Sequence, residues 1–196
     1  MPTSRRSWPR LILASASPRR AELLRSLGLA FEVQPADASE IHHAQLSACE
    51  LCRINALRKA RWVARKVPHA LVLAADTLVS LEETLLGKPA TQAAARKMLR
   101  QLQGRTHLVV TGVCLLHWRT QCQVLFTEST AVAFRRLTDY QIRQYLSRVN
   151  PLDKAGAYAI QEHGDLIIEE IAGSYTNVVG LPLERLRMEL AAWLGT

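Results

Sequence analysis

The amino-acid sequence predicts a mixed α/β fold, one unit with two lobes, and three observations carry that prediction. Short continuous apolar runs, LILA at 11–14 and ALVLAAD at 70–76, alternate with segments of helical period. Two long β-rich runs, THLVVTGVCLLHW and QVLFTESTAVAF, follow one another through Arg119, Thr120 and Gln121, as in an antiparallel pair. No internal repeat, low-complexity tract or linker breaks the 196 residues, and a 48% hydrophobic content is enough to fill a core.

The elements follow in order. Residues 1–10 read as a loose tail before the strand LILA. In SASPRRAELLRSLGL, Ser17 is placed as N-cap and Pro18 at the first helical position, with an apolar stripe of Leu23, Leu24 and Leu27 and a stop at Gly28. Phe31 and Val33 alternate in a second short strand. SACELCRINALRKARWVARK then carries Leu51, Ile54, Leu57 and Ala60 at helical spacing and ends before Pro68. ALVLAAD is expected to be a strand buried on both faces whose carboxyl end, at Asp76, reaches a site. TLVSLEETLLGKP reads as a hairpin around Glu82 and Glu83. A helix over about 91–102 turns Ala95, Met98, Leu99 and Leu102 inward and stops at Gly104. After the two long β runs come a short helix near 138–148, a Gly-rich segment, the strand DLIIEEI and a last helix from about 183.

Composition narrows the function classes. The formal charge of +8, from 25 Lys and Arg against 17 Asp and Glu, favours an anionic partner without choosing among nucleotide, nucleic acid and acidic lipid. No window approaches the roughly 18 consecutive apolar residues of a membrane span, and the first residues lack a signal-peptide core, so a cytoplasmic protein is the expectation. Cys49, Cys52, Cys114 and Cys122 are expected to be free thiols. The CELC pair sits on a helix with no second pair or nearby His to complete a tetrahedral set. Walker A, zinc-protease and GxSxG patterns are all missing from the sequence.

Four groups of residues could carry chemistry. Helix first turns favour acids, yet SASPRR places Arg19 and Arg20 there beside the hydroxyls of Ser15 and Ser17, an arrangement suited to phosphate; solvated arginines are the plain alternative. Asp76, after six apolar residues and before Thr77, either caps the next turn or deprotonates water and holds a divalent ion. Lys88 in GKP reads by itself as a solvated turn lysine. DKAGAYAIQEHGD gathers Asp153, Lys154, Gly156, Tyr158 and Gln161 where backbone can approach a ligand, and the Gln161 amide could read a base edge or stand in water. His107, on a predicted strand, reads as a structural hydrogen-bonding residue.

In this order, LASASPRRAELLRSLGL, NALRKA, AADTLV, LGKP, MLRQLQGRTHLVVTGV, DKAGAYAIQ and GSYTNVVGLPL resemble the Maf family of nucleoside triphosphate pyrophosphatases from about residue 11 to 183. The resemblance implies a single Maf-like domain over 1–196. It also implies an elongated, two-lobed, inosine triphosphatase-like α/β fold with a nucleotide cleft between the lobes, and a homodimer. The implied reaction is hydrolysis of a nucleoside triphosphate to monophosphate and pyrophosphate with a divalent metal, Mg²⁺ or Mn²⁺. Asp76 matches the proton acceptor and bears on the metal. Arg19, Thr77 and Gln161 match positions tied to substrate choice, and Ser15, Ser17, Arg20, Lys59, Lys88 and Lys154 match other polar residues of the cleft. KAGAYxIQ is similar to the branch acting on dTTP, UTP and modified pyrimidine nucleotides, whose role would be to keep non-standard nucleotides from incorporation. Ala159 and Glu162 depart from glycines usual there and are expected to narrow the pocket or repel phosphate. The alternatives are a 7-methyl-GTP or purine-selective enzyme of the same fold, and a non-catalytic nucleotide- or nucleic-acid-binding regulator of division. Weak aromatic interleaving in the basic stretches speaks against nucleic acid.

Overall fold

The computed structural model describes residues 9–194. The expected N-terminal tail therefore lies outside the described residues except for Pro9 and Arg10, and Arg10 pairs with Glu32. One seven-stranded sheet organises the chain. β1 (Leu11–Leu13) lies parallel to β2 (Phe31–Val33) on one side and to β3 (Leu71–Leu81) on the other. β4 (Thr84–Leu86) folds back on the end of β3 as the predicted hairpin. The antiparallel remainder continues from β3 to β5 (Thr106–His117), β6 (Cys122–Phe134) and β7 (Ile168–Ala172). The helices are α1 (Pro18–Arg25), α2 (Ala48–Ala64), α3 (Gln92–Leu102), α4 (Asp139–Leu146), α5 (Tyr175–Val179) and α6 (Leu183–Leu194).

The buried apolar residues divide as a two-lobed chain requires. In the first lobe, alternate residues of β3 face opposite ways. Leu71, Leu73 and Ala75 pack with Leu24 of α1 and Leu186 and Leu190 of α6. Val72 and Ala74 pack with Ala56, Ala60 and Val63 of α2. Burial on both faces is why ALVLAA reads as an unbroken apolar run. In the second lobe, Val79 and Leu81 of the same strand join Leu99, Leu102, Phe134, Ile142 and Tyr145. β3 and β5 thus run through both lobes, and Asp76 and Thr77 fall at the junction.

Two expectations need correction. Asp76 does not close its strand. It pairs with Gly112 in mid-ladder, and β3 continues to Leu81 because Leu78, Val79 and Leu81 supply a second set of buried apolar residues. The strand expected from Asp165 starts only at Ile168, since residues 164–166 form a 3-10 turn after His163 in left-handed conformation.

α2 rests on the sheet beside Asp76 at a spacing only glycine permits. A Cβ on Gly112 would lie 2.4 Å from the Cys52 carbonyl carbon and 2.7 Å from the Arg53 nitrogen. That close approach brings the polar positions of α2 within reach of the Asp76 carboxylate.

Candidate active site

The cleft at the lobe junction is lined by the start of α1, the loop before α2 with α2 itself, the middle of β3, residues 153–161, Gly87 and Lys88 after β4, Val109 of β5 and the end of α5. Nine of the ten residues singled out from the sequence line it. The exception is Ser15, which lies behind α1 with its Oγ accepting from the Ser17 N–H and from Arg20.

At the floor, Asp76 is 5% exposed and each of its carboxylate oxygens accepts a hydrogen bond. Lys59 Nζ donates to Asp76 Oδ1 at 2.6 Å and to Glu40 Oε1 at 2.6 Å, while Asn55 Nδ2 donates to Asp76 Oδ2 at 3.2 Å. Two carboxylates therefore converge on one ammonium. Burial alone would raise the Glu40 carboxyl, but the hydrogen bond and charge of Lys59, with Lys88 beyond, hold it below the usual carboxylate range. Among the described residues no three His, Cys, Asp or Glu side chains cluster as a metal cage. A carboxylate pair fits Mg²⁺ or Mn²⁺ in another way, because such ions take one or two carboxylates and complete their shell with phosphate oxygens and water.

The α1 side is more structural than the sequence suggested. Ser17 caps the helix by accepting from the Arg20 N–H, and no acid occupies the first turn. Arg20 does not stand free for phosphate. Its guanidinium donates to the Gly180 and Ala75 carbonyls at 2.8 and 2.9 Å and to Thr77 Oγ1 at 2.9 Å. Burial lowers its pKa, and the charge of Asp76 partly offsets this. The Thr77 hydroxyl, held by Arg20, also bonds Thr111 Oγ1 at 2.9 Å. Arg19 reaches across the cleft, with Nη1 2.8 Å from Asp153 Oδ2 and Nη2 3.2 Å from the Asp153 carbonyl.

Residues 153–161 form the opposite wall. Gly156, at φ 69°, lies in the left-handed region, and a Cβ there would meet Val79 Cγ2 at 2.8 Å. Lys154 is buried, its Nζ donating to the Asn150 carbonyl at 2.7 Å and pairing with Asp153 at 2.9 Å and Glu162 at 3.2 Å. Glu162 thus turns toward this lysine rather than hanging as an unpaired carboxylate in the cleft. The Ala159 backbone is pinned from both sides by the Tyr145 hydroxyl. Lys88 and Gln161 are exposed at the rim. His107 is structural as expected, with Nε2 2.8 Å from the Tyr158 hydroxyl.

Sequence reading missed Glu40, Asn55 and His42. Glu40 and His42 lie in an aperiodic polar stretch that offers no signal. Asn55 did leave one: it interrupts the apolar face of α2 four residues before Lys59.

A mixed α/β fold whose interlobe cleft combines a helix N-terminus, several cations and a carboxylate pair is built for a phosphorylated ligand. The comparisons are more particular: residues 10–193 match the family model described as Maf-like protein, and the chain belongs to that family. A protein from Moorella thermoacetica named dTTP/UTP pyrophosphatase is 49% identical over 182 residues, 93% of this chain and 94% of its own. One of the same name from Anaeromyxobacter dehalogenans is 51% identical over 180 residues, 89% of each. Another, from Caldicellulosiruptor bescii, is 45% identical over 92% of this chain and 93% of its own. Among solved structures, a HAM1 protein from Coxiella burnetii superposes with a TM-score of 0.47 at 17% identity, covering 66% of this chain and 74% of that one.

Proposed function

We propose that this chain hydrolyses dTTP and UTP to the monophosphate and pyrophosphate in the interlobe cleft, with Asp76 as the proton acceptor. The observation that carries the reading is the junction itself, where Asp76 and Glu40 converge on Lys59 with Arg19, Lys88 and Lys154 lining the same cleft. The relatives named dTTP/UTP pyrophosphatase support the base preference over the 7-methyl-GTP and purine alternatives.

A triphosphate carries about four negative charges at neutral pH, and Arg19, Lys59 and Lys88 can meet them directly, with the buried Lys154 adding its charge from the wall. Asp76 takes a proton from the water that attacks the α-phosphorus. The bond from that phosphorus to the bridging oxygen breaks, and pyrophosphate departs against the cations. A divalent ion, Mg²⁺ or Mn²⁺, held by Asp76 and Glu40, supplies charge neutralisation on the phosphate oxygens when bound. Gln161, at the rim, offers its amide to the base edge, while Arg20 in the cleft wall holds Thr77 and Ser15 steadies the α1 turn.

The same reading carries a homodimer and a cytoplasmic location. Light scattering and cell fractionation test these. The described residues include no helix long and apolar enough to cross a membrane.

The testing experiment is pyrophosphate release from dTTP, UTP, CTP, GTP and 7-methyl-GTP with Mg²⁺ or Mn²⁺, for the wild type and Asp76→Asn. Turnover of dTTP and UTP that the variant loses is expected. Turnover of 7-methyl-GTP instead would overturn the role of Gln161, and no turnover of any nucleotide would favour a binding regulator.

A further inference from the structure

Asn55 is 2% exposed on the sheet-facing side of α2, one helical turn before Lys59. A buried carboxamide needs partners for two N–H donors and an acceptor oxygen. Here all three functions are used. Oδ1 accepts from the Ile41 N–H at 2.8 Å, and Nδ2 donates to the Ile41 carbonyl at 3.2 Å and to Asp76 Oδ2 at 3.2 Å. The orientation is unique, because a flipped amide would set its oxygen against both the Asp76 carboxylate and the Ile41 carbonyl. One side chain thus grips Asp76 directly and, through both backbone groups of Ile41, the loop that carries Glu40.

We propose that Asn55 is a positioning residue for the hydrolysis: it fixes Asp76 and Glu40 relative to one another, so that both carboxylates face Lys59 and the cleft in one geometry. With Oδ2 of Asp76 held by Asn55, Oδ1 is the oxygen turned to Lys59. Lys59 alone would not settle this arrangement, since an ammonium on a flexible stem follows a carboxylate through several rotamers. A doubly bonded backbone and a rigid amide define a position. The inference rests on the assignment of Asp76 above and adds to it the element that sets the Asp76–Glu40 pair.

The test compares Asn55→Leu and Asn55→Asp with the wild type. Leu keeps the branched skeleton, with bulkier methyl ends, and removes all three bonds. Asp keeps the acceptor for the Ile41 N–H but turns a carboxylate on Asp76. Both are expected to lose roughly 10- to 100-fold in kcat for dTTP, with KM for the nucleotide within about 3-fold of wild type and Asp the worse of the two. A merely structural asparagine would instead leave kcat tracking the folded fraction, and Asp, which retains part of the loop anchor, would be the milder change.

The second readout needs no turnover: amide hydrogen exchange of the peptide covering 39–43 should accelerate in Asn55→Leu and stay at the wild-type rate in Asp76→Asn. Folded Asn55→Leu with wild-type kcat, or with unchanged exchange at 39–43, overturns the proposal. If the wild type releases no pyrophosphate while Asn55→Leu loosens 39–43, the assignment of Asp76 fails and the positioning role in hydrolysis falls with it. If the wild type turns over and Asn55→Leu does not lose rate, only the present inference falls.

Discussion

The guanidinium of Arg20 donates to Thr77 Oγ1 at 2.9 Å and to the carbonyl of Ala75 at 2.9 Å, so it brackets Asp76 from the backbone side. An arginine in a helix first turn reads from sequence as a phosphate ligand, but this one is already committed to the protein. Arg20→Lys keeps the charge and cannot reach the Ala75 and Gly180 carbonyls together with Thr77. We expect it to lower unfolding stability by about 3 kcal/mol in urea titration, since each buried carbonyl left unpaired costs about 1–3 kcal/mol. A raised KM at unchanged stability would return Arg20 to the substrate-facing set.

Arg19 is the opposite case. Its pair with Asp153 is partly solvated, and exposed pairs contribute at most about 1 kcal/mol to stability. Arg19→Ala is expected to leave the urea midpoint nearly unchanged while raising KM for dTTP about tenfold, the loss of one charge-assisted contact to phosphate. Steady-state kinetics over a nucleotide titration decide it, and an unchanged KM sinks the assignment.

Gly112→Ala tests the packing that brings α2 to the site. The added Cβ meets Cys52 backbone rather than a side chain that could swing away, so helix or strand must shift. The expected cost is about 3 kcal/mol, at the upper end of ordinary overpacking, with loss of pyrophosphate release because Asn55 and Lys59 move away from Asp76. Urea unfolding and the activity assay should fall together. A stable, fully active variant would show that the spacing of α2 is not what holds the site.

These three residues show what the sequence could and could not disclose. Apolar period and turn chemistry are local, so α1, α2, α3, α4 and α6, the β3–β4 hairpin and the β5–β6 pair were legible, whereas α5, only five residues long, was not; Ser17, Arg19, Asp76 and Lys154, drawn from separate motifs, do meet in one cleft. Whether a guanidinium faces substrate or protein depends on carbonyls some 55 and 160 positions away, Ala75 and Gly180 for Arg20, and no pattern encodes that. Glu40 meets Lys59 from a loop whose next residue, Ile41, is bonded to Asn55, a juxtaposition set by tertiary contacts rather than by local pattern. The end of β3 was misplaced for a similar reason: a carboxylate reads as a strand terminus until its partners, Lys59 and Asn55, are in view.

Removal of divalent metal should abolish turnover and leave the fold intact. Lys59 pairs with both Asp76 and Glu40, so neither carboxylate depends on a metal ion for a counter-charge. In chelator, pyrophosphate release is expected to vanish and return on adding Mg²⁺ or Mn²⁺, with a thermal midpoint shifted by less than about 2 °C, corresponding to at most about 1 kcal/mol. A collapse of the midpoint on chelation would show a structural metal instead.

The pH dependence of stability should be set in part by His107. Its ring lies edge-on to Phe134 and Tyr158, Nε2 meets the Tyr158 hydroxyl, and Nδ1 finds no partner among the described residues. Burial among these rings lowers its pKa from 6.5 to about 4. Above pH 6.5 the imidazole is neutral in both folded and unfolded chains and the residue adds no pH slope. Between 6.5 and 4 the unfolded chain binds a proton that the folded chain refuses, so stability declines as pH falls through this window. The decline totals about 3 kcal/mol and ends below pH 4, where both forms are protonated. His107→Gln, which can still bond the Tyr158 hydroxyl and cannot titrate, is expected to remove that part of the slope in urea unfolding measured from pH 7.5 to 4.5. An unchanged slope in the variant would assign the acid sensitivity to other groups.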